Sequence, residues 1–264
     1  MSDLEKLLIE KNYDYHWDND TIVVTYDGNV SLESLNKITT DIIFNNSGDV
    51  NLYFLNKITT NIEFNNKGDV NLYFLNKITT NIIFNNSGYV DLYSLKEITT
   101  NITFNNNGFV YLNSLKKITT NIEFNNKGNV SLYSLNEITT NVIFNNKGFV
   151  YLYSLKEINY FGKTYKIKVV DWYTMIVIGT PKVKNDITIV KTRFLKGNGL
   201  TNCPISYIAQ KDNYSAHGLT LKESIEDLNF KLIKKVDLNE IVKEIKTTNK
   251  VTKNQYRLIT GACN

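Results

Sequence analysis

The side chains best suited to nucleophilic or proton-transfer chemistry are few. The chain has two histidines, His16 and His217, and two cysteines, Cys203 and Cys263. A cysteine beside a histidine forms a nucleophile–base pair when the imidazole can take the thiol proton. His217 with Cys203 or Cys263 is the arrangement that could carry such a reaction, and nothing in their spacing argues for it. The same residues offer no evident fourth ligand for zinc. His16 stands next to Trp17 and reads as packing. His217-Gly218 stands just before a helix start, where a turn is expected. The chain holds no phosphate-cradling glycine loop, no His-Glu-x-x-His and no Cys-x-x-Cys. The expectation is a non-enzymatic protein with no metal and no cofactor, a Cys/His enzyme being the least favoured alternative.

Basic residues form a second candidate. Residues 158–264 hold 18 Lys/Arg against 9 Asp/Glu, a surplus of +9, whereas the rest holds 12 against 17, or −5. An acidic front and a basic back suggest two roles. Lys182, Lys184, Lys191, Arg193 and Lys196 fall in a strand-like region, and Lys231, Lys234 and Lys235 in a helical one. Such a surplus fits contact with a phosphate backbone, and it also fits a merely solvated lysine surface. No recognition helix or RNA-binding motif accompanies it.

The elements that must position these residues begin with a tandem repeat. Copies of 20 residues start at 31, 51, 71, 91, 111 and 131, with a half copy before them and another from Tyr151 to Ile158. Internal repeats of this period indicate a stacked architecture. Six columns are apolar in nearly every copy; in one they are Val50, Leu52, Leu55, Ile58, Ile62 and Phe64. Spacing of two, at Val50/Leu52 and Ile62/Phe64, is the strand period. Spacing of three, from Leu55 to Ile58, suits a tight or 3₁₀-like turn. Each copy is thus expected to be one coil of two short strands and two corners. One coil cannot bury its apolar columns alone, so neighbours must stack, and about seven coils at ~4.8 Å each give a solenoid about 34 Å long. One glycine per coil, as at Gly48 and Gly68, is expected to supply a left-handed corner. The Asn65-Asn66 pair and its equivalents are expected to stack as amide ladders, and Thr pairs such as Thr59-Thr60 to serve another corner. Leu4 to Lys11, opened by Ser2-x-x-Glu5, predicts a helix capping the open end.

Residues flanking the buried positions of the Val-x-Leu strand should face solvent. They include Tyr53, Tyr73, Tyr93, Tyr133 and Tyr153 in one row, with Tyr89, Phe109, Tyr111, Phe149 and Tyr151 beside them and Asp49, Asp69 and Asp91 on the same face. Aromatics, tyrosine above all, are enriched at protein interfaces. The row also suits a self-stacking ladder worth ~0.2–1 kcal/mol per pair, and the two readings are compatible. Aromatic density rises at 89–111 and 149–153, where a binding hot spot is expected.

From residue 159 the pattern changes. Thr164 to Val170, Tyr173 to Ile178, Ile187 to Phe194 and Ile205 to Ala209 read as strands, with turns at Asp171-Trp172 and Lys184-Asn185-Asp186. Thr220-x-x-Glu223, Asp237-x-x-Glu240 and Thr252-x-x-Gln255 open three helices. The fold class expected is mainly β: a cap over 1–20, a parallel β-solenoid over 21–158 and a basic α+β module over 159–264. Met1 to Glu5 is acidic rather than leader-like, and no apolar run approaches the roughly 18 residues of a membrane span. With two cysteines and no disulfide framework, a soluble cytoplasmic protein is expected.

The runs Tyr214-Ser215-Ala216-His217-Gly218-x-Thr220-Leu221, Ile225-Glu226-Asp227-Leu228-x-Phe230-Lys231 and Tyr256-Arg257-x-Ile259-Thr260-Gly261-Ala262-Cys263 resemble a C-terminal module of phage and prophage proteins, where it follows solenoid repeats of leucine-rich type. The resemblance covers roughly 164–264 and, more loosely, the repeats; this chain ends soon after the Thr-Gly-Ala-Cys motif. It implies phage origin and, by analogy of gene context, a counter-defence protein such as an anti-CRISPR inhibitor. The partner implied is a host defence protein, for instance a CRISPR effector ribonucleoprotein, with RNA contact through the basic module. Direct nucleic-acid binding through that module is the alternative. Self-association through a bare strand face or coil end stays open.

Overall fold

The structure is a computed structural model describing residues 2–160, 162–197, 202–234 and 238–260. The chain divides into two compact units, 1–167 with 195–203, and 168–194 with 204–264.

The first unit is the solenoid. Ser2 caps helix α1 (Asp3–Glu10), accepting the Glu5 N–H at 3.2 Å, and α1 buries Leu4 and Leu8. An antiparallel hairpin, Tyr15–Asp18 with Thr21–Val24, then starts an eight-stranded sheet that continues in parallel through 41–44, 62–64, 82–84, 102–104, 122–124 and 142–144. His16 and Trp17 lie in that hairpin, exposed, so they are not packing residues; the Trp17 ring N–H donates to Glu5 at 3.2 Å. A second sheet of seven parallel two-residue strands runs from Val30–Ser31 to Val150–Tyr151.

Register is locked to the repeat: Val50 pairs with Val70 and Ile62 with Ile82. The six apolar columns are buried except at Ile138, which is partly exposed, and Phe44 through Phe144 stack along the axis with ring centroids 5.0–5.4 Å apart. Each such side chain contributes roughly 1.5–3 kcal/mol by leaving water, which a single coil could not arrange alone. The Leu52–Leu55 spacing is a turn, closed by Leu55 N–H to Leu52 O at 2.9 Å. Ile58, expected in that turn, lies instead in a third short strand, as in Lys57–Ile58 paired with Lys37–Ile38.

Two expectations about the corners are corrected. The repeat glycines are not left-handed: among them only Gly28 has a positive φ, +146°. They are small because coils approach too closely there for a side chain. A Cβ on Gly108 would lie 2.5 Å from the carbonyl carbon of Gly88. Of the two asparagine rows, only the exposed one is an amide ladder, with Asn65 donating to Asn45, Asn85 to Asn65 and onward to Asn145 at 3.0–3.2 Å. The second row is buried and clamps main chain instead. Asn106 Nδ2 donates to Gly88 O and Gly108 O, both at 3.1 Å, while its Oδ1 has no partner among the described residues. The threonines do serve a corner, Thr59 Oγ1 donating to Ile38 O of the preceding coil at 3.2 Å.

After the last coil, Glu157–Tyr160 turns back on the start of Lys163–Val170 through Gly162, whose φ is +76°. The segment 195–197 of the same unit closes the exposed edge: Val150 N–H donates to Leu195 O and Gly197 N–H to Gly148 O, both at 3.0 Å.

The second unit is α+β. Tyr173–Val177, Ile187–Phe194, Ile205–Lys211 and Tyr214–Gly218 form an antiparallel sheet in that order, with Lys182–Lys184 added on Ile187–Phe194. The last and the added strand were not expected from sequence, and His217 sits in a strand rather than a turn. Helix α2 (Leu221–Ile233) starts at the expected capping box, with Thr220 Oγ1 and Glu223 bonding reciprocally. It packs Leu228 on Ala209 and Ala216. Helices α3 (Leu238–Thr248) and α4 (Lys253–Thr260) follow, the second begun by the Thr252–Gln255 pair. Asp237, the expected start of α3, and Cys263 lie outside the described residues. Among the described residues no helix is long and apolar enough to cross a membrane.

Candidate protein-binding surface

Positions 49, 51 and 53 of the coil, two residues apart, present three columns on one face of the seven-stranded sheet. The outer column carries Tyr53, Tyr73 and Tyr93, whose rings stack at 5.2 Å, then Asn113, then Tyr133 and Tyr153, stacked at 4.5 Å. These tyrosines occupy the turn just after the strand, where a ring lies over the ring of the coil before. The inner columns carry Tyr89, Phe109 and Phe149, and Tyr111 and Tyr151. Tyr111 meets Tyr89 and Phe109 edge-on, both at 6.0 Å, and Tyr151 meets Tyr133 at 6.0 Å. The ten aromatics singled out by sequence therefore do form one surface. Tyr93 is 42% exposed and Phe109 43%, whereas Tyr53, Tyr73, Tyr111, Phe149, Tyr151 and Tyr153 are half-buried by their neighbours.

Sequence reasoning missed Phe54 and Phe74. Phe54 is 50% exposed, stacks on Phe74 at 5.6 Å and meets Tyr53 edge-on at 4.9 Å. Tyr53, Phe54, Tyr73, Phe74 and Tyr93 make a five-ring cluster in the early coils, of which only Tyr93 falls in a segment expected to hold the hot spot. The signal was present: the same column reads Ser34, Ser94, Ser114, Ser134 and Ser154 in the other coils, so the two phenylalanines depart from what the fold needs.

The acids on this face hold backbone. Asp49 Oδ1 accepts the Asp69 N–H at 2.8 Å, Asp69 Oδ1 the Tyr89 N–H at 2.9 Å, and Asp91 Oδ1 the Tyr93 N–H at 3.0 Å. Burial among the rings pushes the Asp69 and Asp91 carboxyls above the usual carboxylate range. Burial, then the neighbouring Tyr133, pushes Tyr153 up to about 12, so its hydroxyl keeps its proton throughout the neutral range. The face offers apolar ring area with phenol hydroxyls at its edges, a composition suited to protein contact.

The second unit brings some of the expected basic residues together. Lys182, Lys184 and Lys191 share one sheet face, because Lys182 stands opposite Ile189 and Lys184 opposite Ile187 on the strand that carries Lys191. Arg193 follows two residues on along that strand. Lys196 belongs to the solenoid unit and lies over the Phe149 ring, 5.5 Å from its centroid. Lys234 lies over Phe230 at 4.9 Å. Lys231 is committed internally, to Asp171 and to Ser215 O at 2.7 Å. Lys235 lies outside the described residues.

His217 Nδ1 sits 3.0 Å from Asp171 Oδ2, and its ring packs against Tyr173 and Phe194 at 5.0 and 5.5 Å. The His217 hydrogen bond, with Lys231 adding to it, holds the Asp171 carboxyl below the usual range against the opposing effect of burial. Asp171 and Trp172 form a turn with both φ positive, +52° and +68°, and Trp172 is 77% exposed. Cys203 is buried in the solenoid unit, its thiol donating to Lys196 O at 2.7 Å. Among the described residues no three His, Cys, Asp or Glu side chains converge as metal ligands. Compared with protein-family models, with curated proteins and with solved structures, the chain matches none.

Proposed function

We propose that this protein is a non-enzymatic binding protein that grips a partner protein on the aromatic face of its solenoid and acts by stoichiometric occupancy. One observation carries the reading: the aromatics stand where the fold does not require them. The Tyr53 column accepts Glu33 and Asn113, the Phe54 column serine, and the Phe109 column Asn29 and Asn129, all in coils of the same geometry. Exposed aromatics in register over successive coils form the dense, low-entropy contact area in which interface hot spots concentrate. The resemblance of the C-terminal module to phage proteins supports a host defence protein as partner, and a CRISPR effector ribonucleoprotein as the first to test.

The experiment is titration of the protein into a purified effector ribonucleoprotein while target cleavage is followed. The reading expects cleavage to stop near equimolar protein, with no turnover. Replacing Tyr93 and Phe109 each by the asparagine found in a sister coil, at Asn113 and Asn129, should weaken binding at least tenfold, with little change in Tm. Unchanged affinity in that variant would remove the surface assignment. Failure to bind any effector would remove the CRISPR partner, and affinity capture from host lysate with and without nuclease then separates another protein partner from nucleic acid.

A further inference from the structure

One face of the second unit's sheet is only half covered. Register places Ile187, Ile189 and Lys191 on the same side of one strand, with Ala209 opposite Ile189 and Tyr207 opposite Lys191 on the next. Helix α2 packs on the Ala209 end of this face. It stands so close at Gly218 that a Cβ there would lie 2.6 Å from the Ser224 nitrogen. The helix begins at Leu221, and beyond it the face is open. What remains is a cavity of about 680 Å³ lined by Lys182, Lys184 and Lys191 together with Ile189, Tyr207 and Leu221, and no carboxylate lines it. Among the described residues none of the three lysines is in a salt bridge.

Three ammonium groups around an apolar floor with one aromatic ring match a ligand of alternating phosphates and flat rings. We infer that this cavity binds single-stranded nucleic acid, one or two nucleotides entering it, with the phosphates on Lys182, Lys184 and Lys191 and a base against Tyr207. The volume falls within the range of small-ligand sites, about 300–1,000 Å³. Base stacking on an aromatic ring is indifferent to sequence, and lysine contacts to phosphate release counterions. The site therefore discriminates little between sequences and responds steeply to salt. It shares no residue with the solenoid face and does not depend on the partner proposed for that face.

The test is fluorescence anisotropy of labelled decauridylate and decathymidylate titrated with the full-length protein, in the absence of any partner protein. Binding is expected, with log K falling against log salt at a slope of about −2, since three phosphates on a single strand give roughly −0.7 each. Lys182→Gln/Lys184→Gln/Lys191→Gln should lose at least tenfold in affinity and most of the slope. All three side chains are exposed, so an unchanged Tm is expected alongside. Tyr207→Leu should weaken binding several-fold, and Tyr207→Phe, which keeps the ring, should not. No binding by the wild-type chain at about 50 mM salt, or equal binding by the triple variant, would overturn the inference. So would full affinity in Tyr207→Leu, which would reduce the cavity to ordinary surface charge.

Discussion

The backbone N–H of Gly197 lies 3.0 Å from the carbonyl oxygen of Gly148, donating to it as Gly148's counterparts donate down the stack, for example Gly108 to Gly88 at 3.0 Å. A segment from far along the chain thus takes the place of the missing next coil, although it runs antiparallel to the last strand. An open sheet edge is a template for unwanted pairing, and this contact satisfies it. A Cβ on Gly197 would fall 0.9 Å from Asn146 O. Gly197→Ala is expected to cost about 2–3 kcal/mol, roughly 5–10 °C in Tm, by displacing the segment. It should also raise light scattering on warming. An unchanged Tm would show that the segment does not close the edge.

Two glycines separate crowding from backbone strain. Gly108 has no positive φ but no room, whereas Gly162 has φ +76° and nothing within 4 Å of an added Cβ. Gly108→Ala is expected to cost about 1–3 kcal/mol by forcing coils apart. Gly162→Ala should cost about 1 kcal/mol through conformation alone. Gly162→Asn should recover part of that loss, since asparagine tolerates the left-handed region, and Gly108→Asn should be worse than Gly108→Ala. Thermal melts of the four variants measure both effects.

Asp91 carries a removable penalty. Its carboxyl is raised by burial, so ionisation opposes folding above the ordinary carboxylate range, and the penalty disappears once pH falls below the unfolded value of about 3.9. Asn51 and Asn71 make the same bond to the following tyrosine N–H, each at 3.1 Å. Asp91→Asn is therefore expected to raise Tm at pH 7 by under about 1 kcal/mol equivalent, because the group is partly solvated. The gain should fade as pH approaches 4. A loss of stability at pH 7 would refute the account.

Asp171 has the opposite sign. Its folded carboxyl is held low by His217 and Lys231, so its stabilisation is present above an unfolded value of about 3.9 and is lost as pH falls through the lower folded value. Asp171→Asn keeps a residue suited to φ +52° and removes the charge. It should cost about 1 kcal/mol at pH 7, solvent screening included, with the difference vanishing in acid. Urea midpoints across pH give the answer.

The solenoid was legible in sequence because one column pattern recurs seven times, and burial at Val50, Leu52, Leu55, Ile58, Ile62 and Phe64 follows from period alone. The helix starts at Thr220 and Thr252 were legible because capping is local chemistry. Other features depend on what lies in space beside a residue. Glycine at 108 could signal a corner or a close approach, and only the distance to Gly88 separates them. Asn65 and Asn66 look alike in sequence, yet one faces water and the other main-chain carbonyls. The strands Lys182–Lys184 and Tyr214–Gly218 are short or polar and gain definition from their partners. Lys231 reads as a surface cation until Asp171, sixty residues away, is placed beside it.

The fixed register between coils makes the face a ruler. Every coil meets its neighbours through the same pairs, Val50 to Val70 and Val70 to Val90, so a duplicated block of twenty residues fits the stack without redesign of either end. Each added block lengthens the aromatic surface by about 4.8 Å, and each lost one shortens it by as much. The span this protein can cover is therefore set by the number of twenty-residue copies it carries.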